Sequence, residues 1–197
     1  NGAEIAPIFV CNMLTQGSPL TVSQLLWLNL ITDGAPALAL GTEKGDPDIM
    51  DQMPRPPSEP IINRFMTAGI AIQTVAITCV TLAAYLIGLQ LFSTDPLIPG
   101  TMAFVTISFS ELIRAFTARS ERYPLLKIGP FSNRLMNYAV LTSLGLLLVV
   151  VYVPFLQPIF NTTALGWAQW QYILPMIFIP AVAAESSKPI LNRYIKG

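Results

Sequence analysis

The sequence predicts an all-α protein, a polytopic transmembrane helix bundle of six segments in which the first segment is truncated. Of its 197 residues, 53% are hydrophobic and 11% are charged, whereas about 25% of residues are charged in a typical soluble domain. The mean hydropathy is +0.57. Long apolar stretches alternate with short polar connections, and basic residues fall in every second connection. Because the chain contains no histidine, His-based zinc sites and proton relays are excluded.

Six apolar segments follow one another, and we assign residues 1–197 to one membrane domain. Polar residues with proline or glycine separate the segments, beginning with Thr15–Pro19. A spanning helix needs roughly 20 apolar residues, so every segment except the first is long enough to cross alone. The third is long enough to tilt or to extend beyond the bilayer. The segments cover about 1–15, 21–41, 63–92, 100–118, 134–154 and 167–186.

Basic residues predict the orientation of these segments. All 11 Lys and Arg residues lie in or beside the second-to-third connection, the fourth-to-fifth connection and the C-terminus. The connections at 15–20, 93–99 and 154–166 contain none. By the positive-inside rule, the loops 42–62 and 119–133 and the C-terminus are therefore cytoplasmic.

The longest polar connection, residues 42–60, contains five prolines, which favour extended and stiff structure. Composition leaves two interpretations open. The connection is either a solvated linker or a strap that docks a cytoplasmic domain.

The second segment carries an amide, a hydroxyl and an acid inside its apolar run. Asn29, Thr32 and Asp33 are spaced i, i+3 and i+4, so their oxygens share one helical face. Gly34 follows, and Pro36 lacks the N–H that would continue the helix. An ionisable residue at this depth usually marks an ion or proton path. The pattern predicts a cation site in a broken membrane helix.

Counting residues from the connections predicts that further oxygen groups lie at the same depth in the membrane. At about 1.5 Å per residue, Glu4, Asp33 and Glu111 lie roughly 20, 18 and 16 Å inward from the non-cytoplasmic connections. Asn1 lies one turn from Glu4 on the same face. Carboxylate, amide and hydroxyl oxygens suit Ca²⁺ better than soft metals.

Two questions stay open at this point. Helix-packing hydrogen bonds explain Asn29 and Thr32 well, but they do not account for three acids at one depth. Arg114, three residues after Glu111, either pairs with that acid, which would remove a ligand or replace a second cation, or extends to the cytoplasmic interface.

A longer motif resembles a known family. Gln24–Gly41, followed by Asp48–Met50 and Pro54–Pro57, closely resembles the sixth transmembrane helix and following loop of P-type calcium-transporting ATPases. Asn1–Glu4 resembles the amide and acid of that family's fifth helix, and Ser110–Phe116 resembles its eighth. The resemblance covers essentially the whole chain as the fifth to tenth helices, and it is closest to the bacterial calcium pumps.

The resemblance implies a calcium-binding and translocating half of an ATP-driven pump that exports Ca²⁺ from the cytoplasm. ATP and Mg²⁺ would act through domains absent from this chain, so we expect no ATP hydrolysis by the chain alone. The expected partners are the phosphorylation, nucleotide-binding and actuator domains, the first four helices and the lipid bilayer, with no nucleic acid. The implied metal ligands are Asn1, Glu4, Asn29, Thr32, Asp33 and Glu111.

The resemblance further implies that the 42–60 connection is a docking strap and that the membrane is the plasma membrane in a prokaryote or an endomembrane in a eukaryote. Two other functions remain as alternatives. One is a secondary transporter that exchanges the cation for H⁺ or Na⁺, and the other is a membrane scaffold without transport.

Overall fold

The computed structural model describes most of the chain as helices joined by short connections. Asn1 and most of the 42–62 connection, where the docking strap is predicted, lie outside the described residues. The described residues are 2–15, 17–44, 50, 62, 64–92, 94–120 and 123–195.

The described residues form helices and one π-helical turn, with no strand among them. In chain order the elements are α1 (Gly2–Thr15), α2 (Val22–Trp27), the π turn (Leu28–Asp33), α3 (Gly34–Leu40), α4 (Arg64–Leu91), α5 (Ile98–Thr117), α6 (Leu125–Ile128), α7 (Arg134–Tyr152), α8 (Gln157–Phe160) and α9 (Trp167–Ile195).

By length and composition, three described helices can cross a membrane: α4 over Met66–Leu91, α7 over Arg134–Tyr152 and α9 over Trp167–Leu191. The second and fourth predicted segments are not among them. The second is divided by the π turn. The fourth, α5, buries polar side chains such as Thr106, Ser108 and Glu111 inside the protein, and these residues lower its hydropathy.

The second segment is widened where the sequence predicts a break. Pro36 would place its ring against the Thr32 carbonyl in a regular α-helix. The backbone instead adopts a π-helical turn from Leu28 to Asp33, and α3 then continues through Pro36. Single π turns inside α-helices are frequent at functional sites. The helix therefore stays continuous, and the polar residues lie on its wide turn.

The central helix of the bundle is α5, whose residues from Thr101 to Ser108 are all buried. One apolar cluster joins its Phe104 and Ile107 to residues of α4, α7 and the π turn. A second cluster joins its Met102 and Val105 to α4 and α9. Because α5 is surrounded on several sides, the acid that it carries lies in the interior.

Polar contacts hold both ends of the second segment. At its start, Thr21 and Gln24 form a reciprocal capping box. The buried Gln24 amide also donates to the Phe160 carbonyl at 3.0 Å. Beyond its other end, the Nε and Nη2 groups of Arg119 donate to the two carboxylate oxygens of Glu43, each at 2.8 Å. The second segment, which carries Asn29, Thr32 and Asp33, is therefore held in contact with α8 and with the connection after α5.

The last helix is longer than the sixth predicted segment, which ended near residue 186. In α9 the Lys188 ammonium binds Glu185 at 2.6 Å and donates to the carbonyls of Thr117 and Tyr123. Glu185 accepts the Leu125 amide at 2.8 Å. These contacts with the connection after α5 stabilise the additional turns of α9.

Candidate cation site

Three acids from three helices meet inside the bundle. Glu4 comes from α1, Asp33 ends the π turn and Glu111 lies in α5. One carboxylate oxygen from each lies within 4.8 Å of the other two. Glu4 is 2% exposed and Glu111 is 6% exposed, while Asp33 is half-buried. Two oxygens bound to one Ca²⁺ at about 2.3–2.6 Å lie at most about 5 Å apart, so this spacing fits one shared ion.

Two oxygens of this cluster are buried without a partner. Among the described residues, no hydrogen bond donor reaches Glu4 Oε1 or Glu111 Oε2. Burying an unpaired carboxylate oxygen is costly. A cation that contacts these oxygens would remove this cost.

Asn29 and Thr32 lie on the π turn next to the acids. The Asn29 amide donates to Glu4 Oε2 at 3.0 Å and to the Leu25 carbonyl at 3.0 Å. Neither bond uses the side-chain oxygen of Asn29, and the residue is exposed. Thr32 is 3% exposed and lines the cavity beside Asp33. Asn1, the sixth predicted ligand, lies outside the described residues.

A cavity of about 260 Å³ adjoins two of the acids, Asp33 and Glu111, on the side of α3 and α5. Thr32, Asp33, Pro36, Glu111 and Arg114 contribute to its wall. Since one water occupies about 30 Å³ of liquid, a cation with part of its hydration shell fits this space.

Arg114 lines this cavity without forming an ion pair to Glu111. The ion pairs formed by the described residues join Arg119 to Glu43 and Lys188 to Glu185. The Arg114 guanidinium therefore leaves the Glu111 carboxylate available. It lines a second cavity as well, of about 160 Å³, between α4, α5 and α9.

Residues 17–190 match the family described as "Cation transporting ATPase, C-terminus". The chain belongs to this cation-transporting ATPase family. This membership and the relatives below confirm the resemblance noted from the sequence, including the resemblance to bacterial calcium pumps.

Several relatives of this cation-transporting ATPase segment bear the name calcium-transporting ATPase. One from Bacillus subtilis (strain 168) is 36% identical over 187 residues, covering 95% of this chain and 21% of that protein. Calcium-transporting ATPase 1 of Bacillus cereus is 33% identical over 203 residues, covering 95% and 23%. Human calcium-transporting ATPase type 2C member 1 is 31% identical over 188 residues, covering 95% and 20%. The chain spans about a fifth of the length of these relatives.

Sequence reasoning missed two contacts that shape this ATPase segment. The buried Ser143 of α7 donates to the Ile31 carbonyl on the π turn at 2.9 Å. Gln24 donates to the carbonyl of Phe160. The available signals were the adjacent hydroxyls of Thr142 and Ser143 within apolar α7 and an amide at the start of α2, but the sequence does not indicate which residue either group contacts.

Proposed function

We propose that this chain is the membrane-embedded cation-binding part of an ATP-driven calcium pump that exports Ca²⁺ from the cytoplasm. The observation that carries the proposal is the meeting of three carboxylates from α1, the π turn and α5, with oxygens within 4.8 Å of one another. Membership of the cation-transporting ATPase family supports it. The names of the relatives from Bacillus subtilis and human support calcium as the cargo.

The proposed ligands divide into charged and neutral groups. Glu4, Asp33 and Glu111 supply up to three negative charges, of which one Ca²⁺ compensates two. Asn29 and Thr32 supply neutral oxygens. Asn1 joins this set by resemblance alone. Such hard oxygen donors fit the six to eight oxygens that Ca²⁺ takes.

Three physical features position the proposed ligands Glu4, Thr32, Asp33 and Glu111. Glu4 is oriented by the Asn29 amide at 3.0 Å. Thr32 and Asp33 project from the π turn, where carbonyl oxygens are freed from regular α-helical pairing. Glu111 is held by the buried central helix. A shift of the π turn relative to α5 would separate these ligands, which offers a route to release of the ion.

The remaining parts of the pump belong to the same proposal. Residues 1–197 form one membrane domain, with the 42–62 and 119–133 loops and the C-terminus in the cytoplasm. ATP and Mg²⁺ act through the phosphorylation, nucleotide-binding and actuator domains outside this chain, and the proline-rich 42–60 connection meets them. The membrane is the plasma membrane in a prokaryote or an endomembrane in a eukaryote.

The test is the Asp33→Asn variant in the full-length pump that carries this chain. Asparagine keeps the size of the side chain and removes its charge, so we expect loss of Ca²⁺-dependent phosphoenzyme formation from ATP. Asp95→Asn is the matched control, because the Asp95 carboxylate accepts the Leu97 amide in an exposed loop. This control should retain phosphorylation.

Normal phosphorylation of Asp33→Asn would contradict the proposal. Ca²⁺ flux into liposomes that is driven by an H⁺ or Na⁺ gradient without ATP would instead favour a secondary transporter. Wild-type protein that binds no Ca²⁺ at all would favour a scaffold.

A further inference from the structure

We propose that Ser143 on α7 is a positioning residue for the cation site, because its hydroxyl supplies a hydrogen bond that the π turn lacks. This inference rests on the proposed function and adds a residue from a helix that carries none of the proposed ligands. The hydroxyl donates to the Ile31 carbonyl at 2.9 Å across 112 positions of sequence.

The chemical reason lies at Pro36. A backbone carbonyl in an α-helix accepts from the N–H four residues later, and in a π-helix it accepts from the N–H five residues later. Pro36 has no N–H, so it can serve neither the Thr32 carbonyl in the first geometry nor the Ile31 carbonyl in the second. The Ser143 hydroxyl reaches one of the two carbonyls that this proline cannot pair.

The direction of the Ser143 hydroxyl is unusual for a serine inside an apolar helix. Such a hydroxyl commonly bonds to a carbonyl of its own helix, three or four residues earlier. Ser108 of α5 shows this local arrangement, since it donates to the Phe104 carbonyl at 2.6 Å. Ser143 is equally buried, at 2% exposure, but it crosses to another element.

The bond acts directly beside two proposed ligands. Ile31 immediately precedes Thr32 and Asp33, so fixing its carbonyl fixes the backbone from which both side chains project. The bond also satisfies a carbonyl that could otherwise turn toward the cation or return to α-helical pairing. Ser143 therefore maintains the widened turn without contacting the ion.

The test uses a size-matched pair, Ser143→Thr and Ser143→Val, in the full-length pump. The two side chains have nearly the same volume, and only threonine keeps the hydroxyl. We expect Ser143→Val to raise the Ca²⁺ concentration at half-maximal phosphoenzyme formation by roughly three- to tenfold, as loss of a buried hydrogen bond does. The maximal level at saturating Ca²⁺ should stay near the wild-type level, and Ser143→Thr should restore the half-maximal concentration.

Ser108→Ala is the control for loss of a buried hydroxyl, and it should leave the half-maximal concentration unchanged. Hydrogen exchange of residues 28–40 adds a readout that does not depend on calcium transport. It should be faster in Ser143→Val than in Ser143→Thr. Equal calcium dependence and equal exchange in the two variants would overturn the inference. A wild-type pump without calcium dependence would instead refute the proposed function, while the exchange difference would still report on the hydroxyl.

Discussion

The buried ion pair between Glu43 and Arg119 gives the sharpest prediction for the stability of the bundle near the C-terminal ends of α3 and α5. The Arg119 side chain is 0% exposed and that of Glu43 is 13% exposed. The guanidinium binds the carboxylate through two bonds of 2.8 Å. It also donates to the carbonyls of Gly129 and Pro130 at 2.9 and 2.7 Å and to the Ser132 hydroxyl. We choose Glu43→Gln, which keeps the shape and removes the charge.

Removing one partner of a buried ion pair costs about 3–5 kcal/mol, because the other charge stays buried. We expect the lower end, about 3 kcal/mol, since Arg119 keeps its two carbonyl acceptors and the glutamine can still accept one hydrogen bond. For a chain of about this size, one kcal/mol shifts the melting temperature by roughly 2–4 °C. Glu43→Gln should therefore melt roughly 6–12 °C below the wild type.

The assay can use the native thiols. Cys11 is 1% exposed, whereas Cys79 is exposed. In a Cys79→Ser background, reaction of Cys11 with a fluorogenic maleimide during a temperature ramp reports unfolding in detergent. The melting temperature of Arg119→Lys should fall between those of the wild type and Glu43→Gln, because lysine keeps the charge but cannot form the bidentate contact.

The pH dependence supplies a second readout of the same pair. The hydrogen bonds from Arg119 lower the pKa of the Glu43 carboxyl below its ordinary value of 4.5, and the opposing effect of burial is smaller. A carboxyl whose folded pKa is lowered stabilises the protein above its unfolded pKa, and this stabilisation is lost as the pH falls through the folded pKa. The difference between wild type and Glu43→Gln should be constant from about pH 8 to about pH 5.5 and shrink below about pH 4.5.

A Glu43→Gln variant that melts within about 1 °C of the wild type at neutral pH would refute this reasoning. So would a difference that persists unchanged at low pH, since protonation of Glu43 removes the same charge as the substitution.

Two further predictions concern helix packing and the contact between α2 and α8. A Cβ on Gly88 would lie 2.6 Å from the Cα of Pro99, whereas a Cβ on Gly69 meets no atom within 4 Å. Gly88→Ala should therefore lower the free energy of unfolding by about 1–3 kcal/mol through overpacking, whereas Gly69→Ala should not. Equal melting temperatures of the two variants would contradict the close approach of Gly88 to Pro99. Gln24→Leu removes the donor to the partly buried Phe160 carbonyl of α8, and this loss should lower the free energy of unfolding by about 1 kcal/mol. Gln171→Leu is the comparison, because Gln171 is exposed and bonds within its own helix. A similar loss of stability in this variant would contradict the role assigned to the Gln24–Phe160 hydrogen bond.

The depth of the acids could be predicted from the sequence because it depends on local quantities alone. Helical rise and the positions of polar connections bring Glu4, Asp33 and Glu111 to one level without knowledge of neighbours. The spacing of Asn29, Thr32 and Asp33 likewise follows from helical periodicity. Family membership could also be anticipated, because a long contiguous motif carries it.

Other features depend on which surfaces face each other, and only the tertiary structure decided them. The approach of the three carboxylates to within 4.8 Å depends on how α1, the π turn and α5 pack. The widened turn, which takes the place of a break, accepts a hydrogen bond from a donor on α7, 112 positions away. The partner of Glu43 is 76 positions away. Hydrogen bonds across such separations leave no periodic signal, because each depends on one pair of side chains brought together by the packing of helices.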